Sequence, residues 1–121
     1  MYSDPKALHQ LLDKLTDAVV LYLNAQIRAG AQAVQVFDSW GGVLAPGDFR
    51  EFSLRSLAAI AARLERGPEQ VPLVVFSKGA NEHLEALSQI GADALGLDWT
   101  VSIGAARART GDRVALQGNL D

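Results

Sequence analysis

Two kinds of hydrophobic pattern alternate along this chain, and the alternation restricts its fold more than any other feature. Leucine, valine and isoleucine recur every three or four residues between positions 8 and 27, which indicates one face of a helix. Apolar runs at residues 33–37 and 71–76 are typical of strands, and the second run is continuous enough to predict burial on both faces. The full pattern predicts the order αβαβαβαβ, which implies a parallel sheet with right-handed crossovers.

Local signals set the predicted boundaries of these elements. Ser3 or Asp4 is expected to cap the first helix, which opens with Pro5 and stops at Gly30. Its inner face is expected to carry the periodic apolar residues, namely Leu8, Leu12, Leu15, Val19, Leu23 and Ile27. The remaining elements are predicted as helices at residues 48–66, 81–90 and 102–110, and strands at residues 33–37, 71–76, 92–97 and 114–116.

Two of the later helices carry more specific expectations. In the second helix, four apolar residues are expected near the inner face, namely Phe49, Phe52, Ile60 and Leu64. That helix is predicted to end at the glycine-proline pair of residues 67–68. Asn81 is predicted to cap the third helix.

The number of strands sets the predicted architecture. With 121 residues the chain is predicted to be one domain over residues 1–121. A closed eight-stranded barrel needs about 200 residues or more, so four units correspond to about half of a TIM, or (β/α)8, barrel. We therefore expect exposed sheet edges and one open face, which self-association or pairing with another half-barrel would cover.

Composition excludes several classes of function. A net charge of −3 gives no general electrostatic reason to bind nucleic acid or an anionic membrane, and no apolar run approaches the roughly 20 residues of a membrane span. The chain has no cysteine, which removes disulfides, thiolate metal sites and cysteine nucleophiles and fits a reducing compartment. His9 and His83 lie in predicted helices without a second ligand at metal spacing, so they are expected to be structural.

The segment FDSWGG at residues 37–42 has two possible interpretations. In the first, Asp38 or Ser39 bonds loop backbone, Trp40 fills the barrel rim, and the glycines permit positive φ. In the second, Ser39 contacts a substrate and Asp38 is an acceptor or a positioning group. The second has a general basis, because ligands of parallel α/β proteins bind beyond the carboxyl ends of the strands.

Two further strand ends are equally ambiguous. Lys78 could place its ammonium on a substrate carboxylate or phosphate, or it could be a solvated loop lysine. Neither the G-x-x-x-x-G-K-[ST] nor the G-x-G-x-x-G phosphate-binding pattern occurs. Asp98 or Thr100 is a candidate cap for the following helix. Three basic residues near the end of the chain are expected to be solvated, namely Arg107, Arg109 and Arg113.

Taken together, the strand-end segments resemble the uroporphyrinogen decarboxylase family. The four segments are FDSWGG at residues 37–42, FSKG at 76–79, GLDWT at 96–100 and LQGNLD at 116–121. They occur in the order and spacing of the family, and the resemblance covers essentially the whole chain. GLDWT and LQGNLD are specific in combination, whereas FDSWGG or the lysine-glycine pair alone would be weak. Ala80 departs from the family, in which glycine is frequent at that position.

The resemblance implies a TIM-barrel carboxy-lyase of haem biosynthesis. Such an enzyme removes the carboxyl groups of the four acetate side chains of uroporphyrinogen III as carbon dioxide and so forms coproporphyrinogen III. It uses no metal or organic cofactor. It also implies a cytoplasmic location, a tetrapyrrole substrate and, for full-length members, a homodimer. The family serine maps onto Ser39, which is expected to donate a hydrogen bond to a substrate carboxylate rather than to attack it. Phe37 is expected to line the cleft, with Asp38 and Lys78 as weaker candidates for substrate contact.

The other functional residues of the family do not map onto this chain. Its arginine cluster, catalytic aspartate, tyrosine and histidine lie outside the matching segment, and Asp38 is not expected to replace that aspartate. The resemblance therefore implies no catalytic residue here and no decarboxylation by this chain alone. Two alternatives stay open: a corrinoid-dependent methyltransferase of the same superfamily, which the lack of cysteine weakens, and a non-catalytic half-barrel that acts by assembly.

Overall fold

A computed structural model describes residues 3–120, in which helices and strands alternate in the predicted order. The strands are β1 (Val34–Asp38), β2 (Leu73–Ser77), β3 (Ala94–Leu97) and β4 (Ala115–Gly118). The helices are α1 (Pro5–Arg28), α2 (residues 46–63), α3 (Leu84–Leu87) and α4 (Ile103–Thr110). Helix α2 joins Pro46–Asp48, a π-helical segment Phe49–Leu54 and Arg55–Arg63. Short 3-10 turns occupy Gly41–Val43 and Asn81–His83.

The four strands form one parallel sheet in the order β1-β2-β3-β4. Because the strand order never reverses, right-handed crossovers place the helices on the same face of the sheet. The core lies between that face and the helices, and Leu73, Val75 and Leu95 are almost completely buried in it. The prediction of parallel strands alternating with helices, as in about half of a TIM barrel, is confirmed.

Strand β2 shows that only one face of the sheet is covered. Along β2, Leu73, Val75 and Ser77 are buried, whereas Val74 and Phe76 between them are only half-buried. The prediction that this apolar run is covered on both faces was therefore wrong. The reason is topological, because all of the covering helices lie on the side to which Leu73 and Val75 point.

The second face of the sheet is open within the described residues. One row of this face runs in register through Phe37, Phe76, Gly96 and Gln117. Gly96 leaves room for an aromatic neighbour, because a Cβ there would lie 2.9 Å from the Phe76 ring. The Phe37 and Phe76 rings meet edge to face with centroids 5.9 Å apart. A shallow cavity of about 310 Å³ covers this row, which corresponds to the interior of a barrel.

Helix α1 begins as predicted but buries a different face. The Asp4 carboxylate accepts a hydrogen bond from the Ala7 amide at 2.9 Å, which confirms the predicted cap. The buried residues of this helix are Thr16, Val20, Leu23 and Asn24. Of the predicted face only Leu23 is among them, and Leu15 is 51% exposed. The remaining leucines of that face line a groove of about 490 Å³ beside the free edge of β1, where no strand of the described chain lies.

A side chain from α1 fixes the end of α2. The Asn24 amide donates to the Arg63 carbonyl at 3.4 Å and accepts from the Glu65 amide at 2.8 Å. Helix α2 therefore ends at Arg63, and Leu64 is extended. The predicted continuation to residue 66 was wrong, because this cap comes from a residue far away in sequence. Phe49, Phe52 and Ile60 are buried as expected, whereas Leu64 is only half-buried.

Two of the three arginines predicted to be solvated, Arg107 and Arg109 of α4, are only half-exposed, whereas Arg113, which follows that helix, is exposed as predicted. Arg109 donates to both carboxylate oxygens of Glu85 at 2.7 and 2.6 Å, which ties α4 to α3. These hydrogen bonds lower the pKa of Glu85 to about 2. Arg107 donates to loop carbonyls, and Arg113 donates to the Ser88 hydroxyl at 3.0 Å. For Arg109 the prediction failed because its guanidinium meets a carboxylate 24 residues away, which only the tertiary fold brings near, whereas the acceptors of Arg107 lie within seven residues of it.

The two histidines occupy structural positions. The His83 ring is buried and stacks on Phe49 with centroids 4.1 Å apart, and burial followed by the nearby Arg50 charge lowers its pKa. His9 contacts Glu51 and Arg55 at the surface. Over residues 3–120, no group of three or more His, Cys, Asp or Glu side chains is placed to hold a metal ion. None of the described helices is long and apolar enough to cross a membrane.

Candidate functional site

Loops that follow the four parallel strands meet at one edge of the sheet, here called the carboxyl edge. It consists of residues 39–45, 78–80, 98–102 and 119–120. Asp38 and Ser77 form an in-register pair at the ends of β1 and β2. The next residues, Ser39 and Lys78, therefore leave neighbouring strands side by side, at a strand spacing of about 4.8 Å.

Asp38 holds the loops of the carboxyl edge together. Its Oδ2 accepts hydrogen bonds from the Ser53 hydroxyl at 2.6 Å and from the Ser77 hydroxyl at 2.8 Å. Ser53 belongs to the π-helical segment of α2, and Ser77 ends β2. The Asp38 carbonyl also accepts from the Lys78 amide at 3.0 Å, which extends the sheet by one hydrogen bond. Asp38 thus acts as an internal acceptor, and direct contact with a substrate stays a prediction.

The two glycines of FDSWGG are required by close packing and not by positive φ. Six glycines of residues 3–120 have positive φ, and neither Gly41 nor Gly42 is among them, so that expectation was wrong. A Cβ on Gly41 would lie 2.2 Å from the Ser77 hydroxyl oxygen. A Cβ on Gly42 would lie 2.4 Å from the backbone carbonyl carbon of Gly79. The loops after β1 and β2 therefore touch backbone to backbone, and the Gly42 amide donates to the Lys78 carbonyl at 2.9 Å.

Asp98 joins the loop after β2 to the loop after β3. Its Oδ2 accepts from the Gly79 amide at 2.6 Å, and its Oδ1 accepts from the Asn81 side-chain amide at 3.1 Å. The same Oδ1 accepts from the amide and hydroxyl of Thr100 at 2.9 and 2.5 Å. Burial alone would raise the pKa of Asp98, which is only 5% exposed, but these hydrogen bonds outweigh it and lower the pKa to about 2. Asp98 is therefore a buried carboxylate at neutral pH.

Two predicted helix caps at or next to this edge were wrong. Neither Asp98 nor Thr100 caps α4, because the Ser102 hydroxyl takes that role and accepts from the Ala105 amide at 3.2 Å. Asn81 does not cap α3 with its side chain, since that side chain is directed to Asp98 and Thr100. The polar groups of these residues bond across loops, which local sequence cannot reveal.

Three of the four side chains expected to contact substrate are accessible, whereas the fourth, Asp38, is half-buried. Phe37 is 64% exposed, and Ser39 and Lys78 are also exposed. Trp40 is 76% exposed and does not fill the rim of the sheet as expected. Within residues 3–120 the Ser39 hydroxyl has no hydrogen-bond partner. No basic side chain of these residues is therefore in place to accept its proton and activate it as a nucleophile. The edge thus offers a hydroxyl, a cation and aromatic surfaces to a ligand.

One contact at this edge was missed by sequence reasoning. The Lys78 ammonium lies 5.3 Å from the centre of the Trp99 ring. The sequence contains a signal that could have suggested an ordered loop here, because Asp98 and Thr100 are two residues apart, the spacing of an Asx turn. That spacing does not reveal which lysine the intervening indole would meet.

Comparisons with known proteins show the family of the chain. A family model described as uroporphyrinogen decarboxylase (URO-D) matches residues 1–121. Relatives named uroporphyrinogen decarboxylase include those of Edwardsiella ictaluri, 61% identical, Neisseria meningitidis, 59% identical, and Hydrogenovibrio crunogenus, 57% identical. Each match covers 100% of this chain and 35% of the relative. The chain therefore spans about a third of the length of these relatives.

Proposed function

Because the chain belongs to the uroporphyrinogen decarboxylase family, we propose that it supplies one wall of the tetrapyrrole cleft in the decarboxylation of uroporphyrinogen III to coproporphyrinogen III. The observation that carries the proposal is that Ser39 is exposed at the carboxyl edge and Phe37 is exposed on the adjoining open face of the sheet. These are the two positions at which the family resemblance expects substrate contacts.

Each proposed residue has a limited chemical task. The Ser39 hydroxyl donates a hydrogen bond to a carboxylate of the substrate, a charge-assisted contact that both orients and binds. Phe37 packs its exposed ring against a pyrrole of the macrocycle. Asp38 positions the loop that carries Ser39 by accepting from Ser53 and Ser77. The reaction draws on no metal or organic cofactor in this proposal.

The chain by itself is proposed to lack decarboxylase activity. Its open face and the free edges of β1 and β4 leave the cleft with a wall on only one side, within the residues described. Further strands of a longer protein, or a second copy of this chain, would supply the opposite wall and cover the apolar groove beside β1. A homodimer and a cytoplasmic location are proposed in the same way, from family membership.

An exchange of segments tests these proposals. In the chimera, this chain replaces the matching segment of the Edwardsiella ictaluri relative, to which it is 61% identical. The folded chimera is expected to form coproporphyrinogen, whereas the purified chain alone is not. A folded but inactive chimera would contradict the proposed function. Coproporphyrinogen formed by the chain alone would contradict the need for a second wall.

In the chimera, Ser39→Ala is expected to raise KM about tenfold with kcat changed less than about twofold, because one hydrogen bond to a charged group is lost in the ground state and transition state alike. The matched control is Ser3→Ala, which removes an exposed hydroxyl next to the cap of α1 and should leave both constants unchanged. Steady-state decarboxylation measures the effect, and an unchanged KM for Ser39→Ala would remove Ser39 from the site.

A further inference from the structure

Lys78 is an unusual cation in this chain because it forms no ion pair within residues 3–120 and yet lies at the carboxyl edge. It is the only basic residue in the described loops of that edge. Five arginines elsewhere pair with carboxylates, namely Arg28, Arg55, Arg63, Arg66 and Arg109. An anionic ligand on the carboxyl edge therefore meets one cation, and that cation is not neutralised by a neighbour.

The backbone around Lys78 is fixed on both sides. Its amide donates to the Asp38 carbonyl at 3.0 Å, and its carbonyl accepts from the Gly42 amide at 2.9 Å. The next amide, that of Gly79, donates to the Asp98 carboxylate at 2.6 Å. The base of the lysine side chain is thus held in place before any ligand arrives.

The ammonium end of the lysine side chain is also restrained, by a contact with an aromatic ring. Its ammonium lies over the Trp99 ring, and the favourable interaction of a cation with an indole face restricts the rotamers of the lysine. Trp99 is itself held between Asp98 and Thr100, since the Asp98 carboxylate accepts from the Thr100 amide and hydroxyl. One buried side chain therefore orders both partners of the contact.

An ordered cation binds an anion at lower entropic cost than a free lysine does, because fewer rotamers are lost on binding. The indole interacts with one side of the ammonium. The ammonium N–H groups that point away from the ring are therefore available to donate to a carboxylate. The carboxylate of Asp98 does not compete, because its oxygens accept four hydrogen bonds from Gly79, Asn81 and Thr100.

We infer that Lys78 and Trp99 form a carboxylate subsite of the cleft, with Asp98 as the residue that positions both. The inference rests on the proposed function, since the ligand is a carboxylate of the tetrapyrrole. It adds a cation that contacts an indole ring, carried on the strand end next to the one that precedes Ser39. It also gives Asp98, which is buried and already accepts four hydrogen bonds, an indirect effect on binding.

The chimera provides the test for Lys78. Lys78→Ala is expected to raise KM for uroporphyrinogen about tenfold and to change kcat less than twofold, because the contact binds substrate and transition state equally. The difference in KM should shrink in high salt, since it comes from a partly exposed charge pair. Lys78→Arg keeps the charge and the cation–π contact, so its KM should stay within about threefold of that of the unsubstituted chimera. The control Lys14→Ala removes an exposed lysine of α1 and should change neither constant.

The positioning role of Asp98 is tested by a double-substitution cycle. Asp98→Asn is expected to raise KM several-fold in the chimera, and to raise it no further once Lys78→Ala is present, because it acts through the lysine. A merely structural effect would raise KM equally in both backgrounds. Quenching of tryptophan fluorescence by uroporphyrin III gives the same comparison as a dissociation constant, without turnover.

The outcomes separate the two proposals. If the unsubstituted chimera neither binds uroporphyrin III nor forms coproporphyrinogen, the proposed function fails and the subsite fails with it. If the chimera is active but Lys78→Ala leaves KM unchanged, or raises it by a factor that salt does not reduce, only the subsite is refuted. Additive effects of Asp98→Asn and Lys78→Ala would refute the positioning role alone.

Discussion

The Gly42→Ala substitution is expected to destabilise the fold by about 3 kcal/mol, because it forces apart two loops that touch through their backbones. The new Cβ would lie 2.4–2.5 Å from three backbone atoms of Gly79, whereas carbon atoms prefer separations of about 3.5–4.0 Å. Backbone cannot rotate away as a flexible side chain can. The loops must separate by about 1 Å, which breaks the hydrogen bond from the Gly42 amide to the Lys78 carbonyl.

Urea unfolding monitored by circular dichroism measures this effect, and the chain offers a close control. Gly47 also lies near the start of α2 without positive φ, and a Cβ there would meet no atom within 4 Å. Gly47→Ala is therefore expected to change the free energy of unfolding by no more than about 0.5 kcal/mol. Equal stability of the Gly42→Ala and Gly47→Ala variants would show that the loops after β1 and β2 do not pack as described.

The Asp98→Asn substitution is expected to lower the free energy of unfolding by about 2 kcal/mol at pH 7. A carboxamide offers only one acceptor oxygen where the carboxylate offers two, so the Gly79 amide or the Thr100 and Asn81 donors lose their partner in a buried place. The matched control is Asp112→Asn, the same chemical change at an exposed loop residue. Its free energy of unfolding should lie within about 0.5 kcal/mol of that of the parent chain.

The difference in the free energy of unfolding between the parent chain and Asp98→Asn is expected to depend on pH, because the pKa of Asp98 is lowered in the folded state. The stabilisation is fully present above the ordinary pKa of 3.8 and is lost as the pH falls through the folded-state value of about 2. The stability difference between the parent and Asp98→Asn should therefore be constant from pH 7 to about pH 5 and should narrow as the pH falls below about 4. Unfolding curves at several pH values check this, and a difference that stays constant down to pH 3 would argue against the Asp98 network.

Elements with local signals could be predicted from the sequence. The periodic leucines and the Asp4-Pro5 start define α1, and the run at residues 71–76 locates β2, because these signals involve only neighbouring residues. The alternation of such elements then determines a parallel sheet, since parallel strands require crossovers.

Features that depend on distant partners could not be predicted. The end of α2 depends on Asn24, which lies 39 residues before Arg63 in the sequence. The role of Gly42 depends on Gly79, and a glycine gives no local sign of which backbone it will meet. The face buried by α1 depends on how the helix packs against α2, which its own periodicity does not determine.

The candidate site divides in the same way. Its location follows from parallel topology, and the expectation that Ser39 and Phe37 contact substrate comes from the resemblance alone. The carboxylates were harder to interpret, because Asp38 and Asp98 have the chemistry of caps and substrate acceptors alike. Only their tertiary hydrogen bonds, to Ser53, Ser77 and Gly79, show that both organise loops.

The central claim is that the carboxyl edge is where this chain meets a tetrapyrrole, and backbone amide chemical shifts test it most directly. A ¹⁵N-labelled chain would be titrated with uroporphyrin III. Shifts are expected at residues 37–42, 78–80 and 98–100, with little change at the opposite ends of the strands. Shifts concentrated instead around the cavity lined by Ile27, Gly30 and Val71 at that opposite end would contradict the claim, as would a spectrum that does not change at saturating ligand.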